Sequence, residues 1–170
     1  DPIFYIAATG GTVTTSGSYT IHTFTSSGTF AVSSLAGESS DNFLEYLVIA
    51  GGGAGSSSSK QGAGGAGGYR SSVVGELSGA SSSAETRITA QVQSYTVTIG
   101  AGSADRVTSR GSDSVFGSIT SLGGGSGGYN YNPTPDTTNG GSGGGSRGDN
   151  ALATAGGSGT SGQGTDGGAN

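Results

Sequence analysis

Phe43-Leu44-Glu45-Tyr46-Leu47-Val48-Ile49-Ala50 runs directly into Gly51-Gly52-Gly53. It is the strongest apolar run of the chain, bounded in front by Asp41-Asn42. Its short length and β-branched content favour a buried strand over a helix. A strand that ends in three glycines also poses the question on which the fold turns: whether glycine here breaks structure or builds it.

Working outward, the same strand logic recurs. Tyr19 to Val32 alternates, with Tyr19, Ile21, Thr23 and Thr25 on one face and Thr20, His22 and Phe24 on the other, and Ser27-Gly28 reads as the turn of a hairpin. Ile88 to Val92 and Ser94 to Ile99 alternate as well, and Ser114-Val115-Phe116 with Ser118-Ile119-Thr120 supplies a last pair. Ile3 to Ile6 is a short strand candidate ahead of Gly10-Gly11. No window has helical spacing of comparable quality, so the expected fold class is all-β: a small antiparallel framework with essentially no helix.

Gly51 to Gly68 and Gly123 to Gly168 lie between and after these strands. Gly/Ser tracts ordinarily read as flexible linkers, and ordering each residue costs about 1 to 2 kcal/mol, more for glycine. Against that, chains without Cβ atoms can approach closely enough for polyproline-II-like segments to exchange main-chain hydrogen bonds. If ordered, as the family resemblance given below implies, these are packed, polyproline-II-like glycine segments clamped by the strands or by neighbouring chains; otherwise they are flexible linkers. The implied organisation is an N-terminal arm or linker over 1–18, a β framework over 19–122 with a Gly/Ser-rich insert at 51–87, and a glycine-rich array over 123–170 with an aromatic and proline loop at 129–138.

Composition bounds the chemistry. The 170 residues include 38 glycines, roughly three times the usual share of about 7%. Val, Ile, Leu and Phe together stay below about a fifth of the chain, and beyond Leu122 only Leu152 belongs to that set, so the last stretch cannot build a conventional core. A net charge of −5 is too small to force disorder. Cysteine is absent, so disulfides and thiolate chemistry are excluded. Lys60, Arg70, Arg87, Arg106, Arg110 and Arg147 form no basic stripe, which argues against a nucleic-acid partner. No run of 18 apolar residues suggests membrane insertion, and a start at Asp1 reads as a processed product or fragment.

Catalytic and cofactor patterns are incomplete. Tyr46 to Ser56 imitates the strand-and-glycine opening of a dinucleotide site, but Ser56 stands where the last glycine belongs and no helix can follow. Lys60 lacks the preceding glycine and following Ser/Thr of a phosphate loop. His22 is the sole histidine, and its strand position suits a structural or surface role. Glu45 and Glu76 could pair as hydrolytic carboxylates only through folding. Asp105, Asp113, Asp149 and Asp166 lack the repeat of a calcium β-roll. Arg147-Gly148-Asp149 is a triplet expected by chance in such a chain. The expectation is no catalysis, no cofactor and no metal. The candidate contact residues are Tyr129, Asn130, Tyr131 and Asn132, whose aromatic faces and amides suit sugar or protein contact, or else plug the array.

Read in order, Ala8-Thr9-Gly10-Gly11-Thr12-Val13, Ile21 to Phe30, Tyr46 to Gly53, Gly64 to Arg70, Tyr95 to Gly102, Gly111 to Gly117 and Ile119 to Gly125 make a series. The series resembles the glycine-rich domain of phage tail-fibre, virion and cell-surface structural proteins. Ser56 to Ser59 and Asn130 to Thr138 depart from that pattern. The resemblance implies a structural component of a phage fibre or other virion appendage that contributes to host attachment through variable loops, with a location on the virion. The expected partners are further copies of the chain, with a trimer favoured by analogy, other virion proteins, and a host-surface glycan or protein. The alternative is a cellular extracellular filament or adhesive surface protein that polymerises by strand exchange, with Ile3 to Ile6 adding to a neighbour's sheet edge.

Overall fold

The computed structural model describes residues 5–56, 62–104, 109–128, 138–148 and 155–169. The eleven strands are β1 (Ala7–Thr9), β2 (Thr12–Ser16), β3 (Tyr19–Thr23), β4 (Gly28–Ser34), β5 (Phe43–Leu44), β6 (Leu47–Ile49), β7 (Tyr69–Ser71), β8 (Ile88–Thr89), β9 (Ser94–Thr98), β10 (Ser114–Phe116) and β11 (Ile119–Ser121). Helical structure among the described residues is limited to two 3-10 turns, Ser39–Asp41 and Gly79–Ser81. The fold is all-β, and every strand pair is antiparallel.

A five-stranded sheet in the order β1-β4-β9-β10-β11 holds the apolar core, and β2-β3, β5-β8 and β6-β7 form two-stranded ribbons. Alternation along β4 and β9 turns Phe30, Val32, Tyr95 and Val97 inward. Phe30 stands opposite Tyr95 in the register, so their rings share one face. Phe116 completes the cluster, T-shaped against Phe30 at 5.8 Å between centroids and tilted on Tyr95 at 5.6 Å, within the range where aromatic pairs attract. Ile6, Ala8, Phe24, Leu44 and Ile88 close around it.

Two local expectations change. The Tyr19 to Val32 run is not a hairpin. Gly17, at φ +58°, supplies the left-handed residue of a two-residue turn that folds β3 back onto β2, while β4 crosses to pair with β1 and β9. The stretch 1–18 thus contributes two paired strands, and His22 and Phe24 close over Gly10. The run Phe43 to Ala50 is buried on one side only: Tyr46, Val48 and Ala50 point inward, whereas Phe43, Leu47 and Ile49 are 37%, 49% and 55% exposed. Among the described residues β6 packs against β10 and β11 while Leu47 and Ile49 stay exposed, which restores the period-two pattern of a one-sided sheet.

The glycine segments are packed and extended. Hydrogen bonds from Ala50, Gly53 and Ser56 to the carbonyls of Gly68, Gly65 and Gly62 step by three residues on each chain, as do those from Gly62, Gly65 and Gly68 to Gly128, Gly125 and Leu122. Gly124 and Gly127 donate to Gly51 and Ala54, and Gly125 and Gly128 to Ser142 and Gly145, with the same step. A three-residue repeat is the signature of polyproline II, whose internal bonds are absent and whose main-chain groups all point outward to neighbours. Burial follows it: Gly62, Gly65 and Gly68 are buried while Ala63 and Ala66 are exposed. Strands continue straight into the array, β6 into 50–56, β9 into 100–104 and β11 into 122–128, and the segments 62–68 and 109–113 lead back into β7 and β10. The array therefore draws on these segments as well as on 138–148 and 155–169.

Close approach, not left-handed backbone, is what glycine provides here. Among the described glycines, positive φ occurs at Gly10, Gly11, Gly17, Gly75, Gly117 and Gly162, none of them within 51–68 or 123–145. A Cβ built on Gly65 or Gly124 would instead lie within 3.0 Å of a neighbouring carbonyl oxygen, a distance real Cβ atoms essentially never reach.

Candidate functional site

Serine stitches the framework to the array. Ser71, Ser72, Ser114, Ser121 and Ser126 are the largest fully buried side chains. Their size explains it: a hydroxyl is small enough to sit among packed main chains and supplies a partner for a group the array leaves unpaired. Ser121 Oγ donates to the Gly68 carbonyl at 2.6 Å, Gly100 N–H donates to Ser114 Oγ at 2.8 Å, and Tyr46 N–H donates to Ser72 Oγ at 2.9 Å.

One polar cluster crosses that junction. Arg70, on β7, makes a two-pronged contact with Glu85, Nε to Oε1 at 2.7 Å and a terminal nitrogen to Oε2 at 2.6 Å, and donates its other terminal nitrogen to the Thr120 carbonyl at 3.0 Å. Tyr46 Oη donates to Glu85 Oε2 at 2.7 Å. The hydrogen bonds from Arg70 hold the Glu85 carboxyl below the usual carboxylate range, and Glu85 in turn raises the Arg70 guanidinium. Burial, then the Glu85 carboxylate, pushes the Tyr46 phenol far above the usual phenol range. With both carboxylate oxygens occupied, the arrangement is a structural clasp joining Tyr46, just ahead of β6, to β7 and β11. Sequence reading missed Glu85, and nothing in the sequence pairs it with Arg70: only the register that sets Arg70 opposite Val48 shows a half-buried guanidinium, which requires an anion.

The other sequence candidates are spent on structure. His22 Nδ1 lies 2.8 Å from the Gly10 carbonyl, and its ring meets Phe30 edge-on. Glu45 lies 3.8 Å from Arg87, whose guanidinium sits over the Phe43 ring, and no contact joins Glu45 to Glu76. Asp113 and Asp166 accept main-chain N–H groups from Gly123 and Gly159. Gly51 and Gly53, in the dinucleotide-like stretch, donate to Ser112 and Gly65 within the array. Tyr129, Asn130, Tyr131 and Asn132 lie outside the described residues, as do Lys60, Asp105 and Asp149. No group of three metal-ligating side chains occurs among the described residues, and no helix among them is long and apolar enough to cross a membrane.

The topology nevertheless fixes where the candidate segment leaves the fold. Ser56 bonds to Gly62, Gly62 to Gly128, and Gly128 to Gly145; Thr138 bonds to Ser126, and Ala54 to Ser109. The residues that flank 57–61, 105–108 and 129–137 are thereby gathered at the end of the array away from the framework, and the Gly157 N–H bond to the Gly144 carbonyl brings the chain that follows 149–154 close to them. None of those four stretches contains a glycine, and together they include Lys60, Arg106, Tyr129 and Tyr131. The array is thus a platform of bare main chain whose far end holds the described residues that flank these side-chain-bearing segments.

No curated protein and no solved structure matches the chain. The family model described as a glycine-rich domain matches residues 23–170. That span takes in the framework from the end of β3, the clasp and the whole array, and the chain belongs to the glycine-rich domain family.

Proposed function

We propose that this chain is a non-enzymatic structural module of a phage fibre or other virion appendage, which contributes to host-surface attachment through the far end of its array. The observation that carries the reading is the convergence, at one end of a main-chain platform, of the described residues that flank the glycine-free segments. Binding residues commonly sit on loops positioned by a rigid scaffold. Tyr129, Asn130, Tyr131 and Asn132 are the residues of those segments best suited to a host glycan or protein, and assembly as a homo-oligomer or with other virion proteins would present several such ends together. Mass spectrometry of particles purified from the source culture tests it: the chain is expected at a fixed copy number per particle, and its recovery instead in filaments sheared from uninfected cells would overturn the virion assignment.

A second reading, a cellular filament built by strand exchange, draws on the position of β1 at the sheet edge with Tyr5 just before it 71% exposed. An open edge is a template for another strand. The same fractionation separates the two.

A further inference from the structure

On the side of the framework opposite the array, β10 pairs only with Val97 and Thr98 of β9. The turn residue Gly117 donates its N–H to the Thr96 carbonyl, so Ser94 and Tyr95 run on beyond the Gly117-Ser118 turn, and the chain from Ile88 to Gln93 passes beside them. An open groove of about 430 Å³ lies between these three pieces, within the size range of small-ligand sites.

Thr89, Gln91, Gln93, Ser94, Thr96 and Ser118 contribute hydroxyl and amide groups to the groove, and no charged side chain lines it. Each of these groups can donate and accept. Tyr95, also in the lining, is 7% exposed. Its hydroxyl accepts the Gln91 N–H at 3.0 Å, which fixes the oxygen and leaves the phenolic proton without an acceptor among the described residues. Gly117 keeps the wall low: a Cβ there would crowd the Tyr95 ring at 3.1 Å, and its φ of +56° disfavours any other residue.

We propose that this groove is a second binding site, separate from the array end, for a neutral saccharide. A charged ligand would lose hydration without a countercharge, and an apolar one would leave the lining groups unpaired. Sugar hydroxyls also donate and accept, and so match a lining that does both. The site does not depend on the attachment role proposed for 129–132.

The test is a glycan array carrying neutral, sialylated and sulfated glycans, followed by calorimetric titration of the best free oligosaccharide. Three proteins are compared: the unaltered chain, the Gln91→Ala/Gln93→Ala variant, and a chain with residues 129–132 replaced by glycine and serine. Because Gln91 and Gln93 are exposed, the double variant is expected to keep its melting temperature. Neutral glycans are expected to bind, with affinity at least about tenfold weaker in the double variant and unchanged in the third protein. Absence of neutral binders, preference for charged glycans, unchanged affinity in the double variant, or loss in the third protein would each overturn the site.

Discussion

Gly65 donates its N–H to the carbonyl of Gly125 at 2.7 Å while its own carbonyl accepts from Gly53 at 2.9 Å, so one residue without a side chain joins three extended chains. The bonds are of ordinary length; what is unusual is that neither neighbour belongs to a sheet. The approach is possible because no Cβ stands between the chains.

Gly65→Ala and Gly124→Ala should therefore each destabilise the fold by about 3 kcal/mol or more, above the usual range for overpacking because the obstructing atoms are main chain and cannot rotate away. Gly52→Ala and Gly55→Ala should be neutral or stabilising by up to about 1 kcal/mol, since a Cβ at either meets its nearest atom at 3.8 or 3.7 Å. Thermal melts of the four single variants check this. Equal losses at all four positions would contradict close approach as the role of glycine in the array.

Amide exchange reports the same architecture without mutation. The N–H groups of Gly62, Gly65, Gly68, Gly124, Gly125, Gly127 and Gly128 all have main-chain acceptors and are expected to exchange at least about a hundredfold slower than Gly148, whose Cβ position has no neighbour within 4 Å. Exchange of those seven amides at free-peptide rates would show an unpacked tract.

The Arg70–Glu85–Tyr46 clasp gives a signed pH dependence. Because the folded-state pKa of Glu85 is depressed, its stabilisation is fully present above the ordinary carboxylate range and is lost as pH falls through the depressed value. The Tyr46 pKa is raised, so its contribution is complete below about pH 10 and fades as pH rises further. Glu85→Gln is expected to cost about 1 to 3 kcal/mol at neutral pH, between the values for exposed and for fully buried pairs because the side chains retain 23% and 21% exposure. It should also flatten the acid limb of the stability curve. Chemical denaturation between pH 3 and 8 measures both effects, and an acid limb as steep as that of the unaltered chain would remove Glu85 as its source.

Phe30 touches His22, Tyr95 and Phe116. Phe30→Ala is expected to cost about 3 to 5 kcal/mol, the usual loss for a buried aromatic. Since array segments continue directly from β9 and β11, array and framework amides should lose protection together in this variant. Retained protection at Gly125 in a variant with a melted framework would show that the array folds by itself.

Much of this fold was legible in the order of residues. Alternation placed Phe30, Tyr95 and Val97 in strands because a pleated chain faces its core at every second residue. The spacing Gly62-Ala63-Gly64-Gly65-Ala66-Gly67-Gly68 holds the three-residue repeat in its alanines, both exposed. The pairing of β3 with β2 was not legible, because Gly17-Ser18 and Ser27-Gly28 are both competent turns and the choice depended on β4 finding β9.

What sequence determined was class: strands with little oil, no thiols and one histidine, and main chain bare enough to pack. Tertiary structure decided the partners, since a glycine carries no side chain to name its neighbour. Glu85 reached Arg70, and the residues flanking the glycine-free segments came together, only because hydrogen bonds between distant main chains fixed which described segments lie side by side.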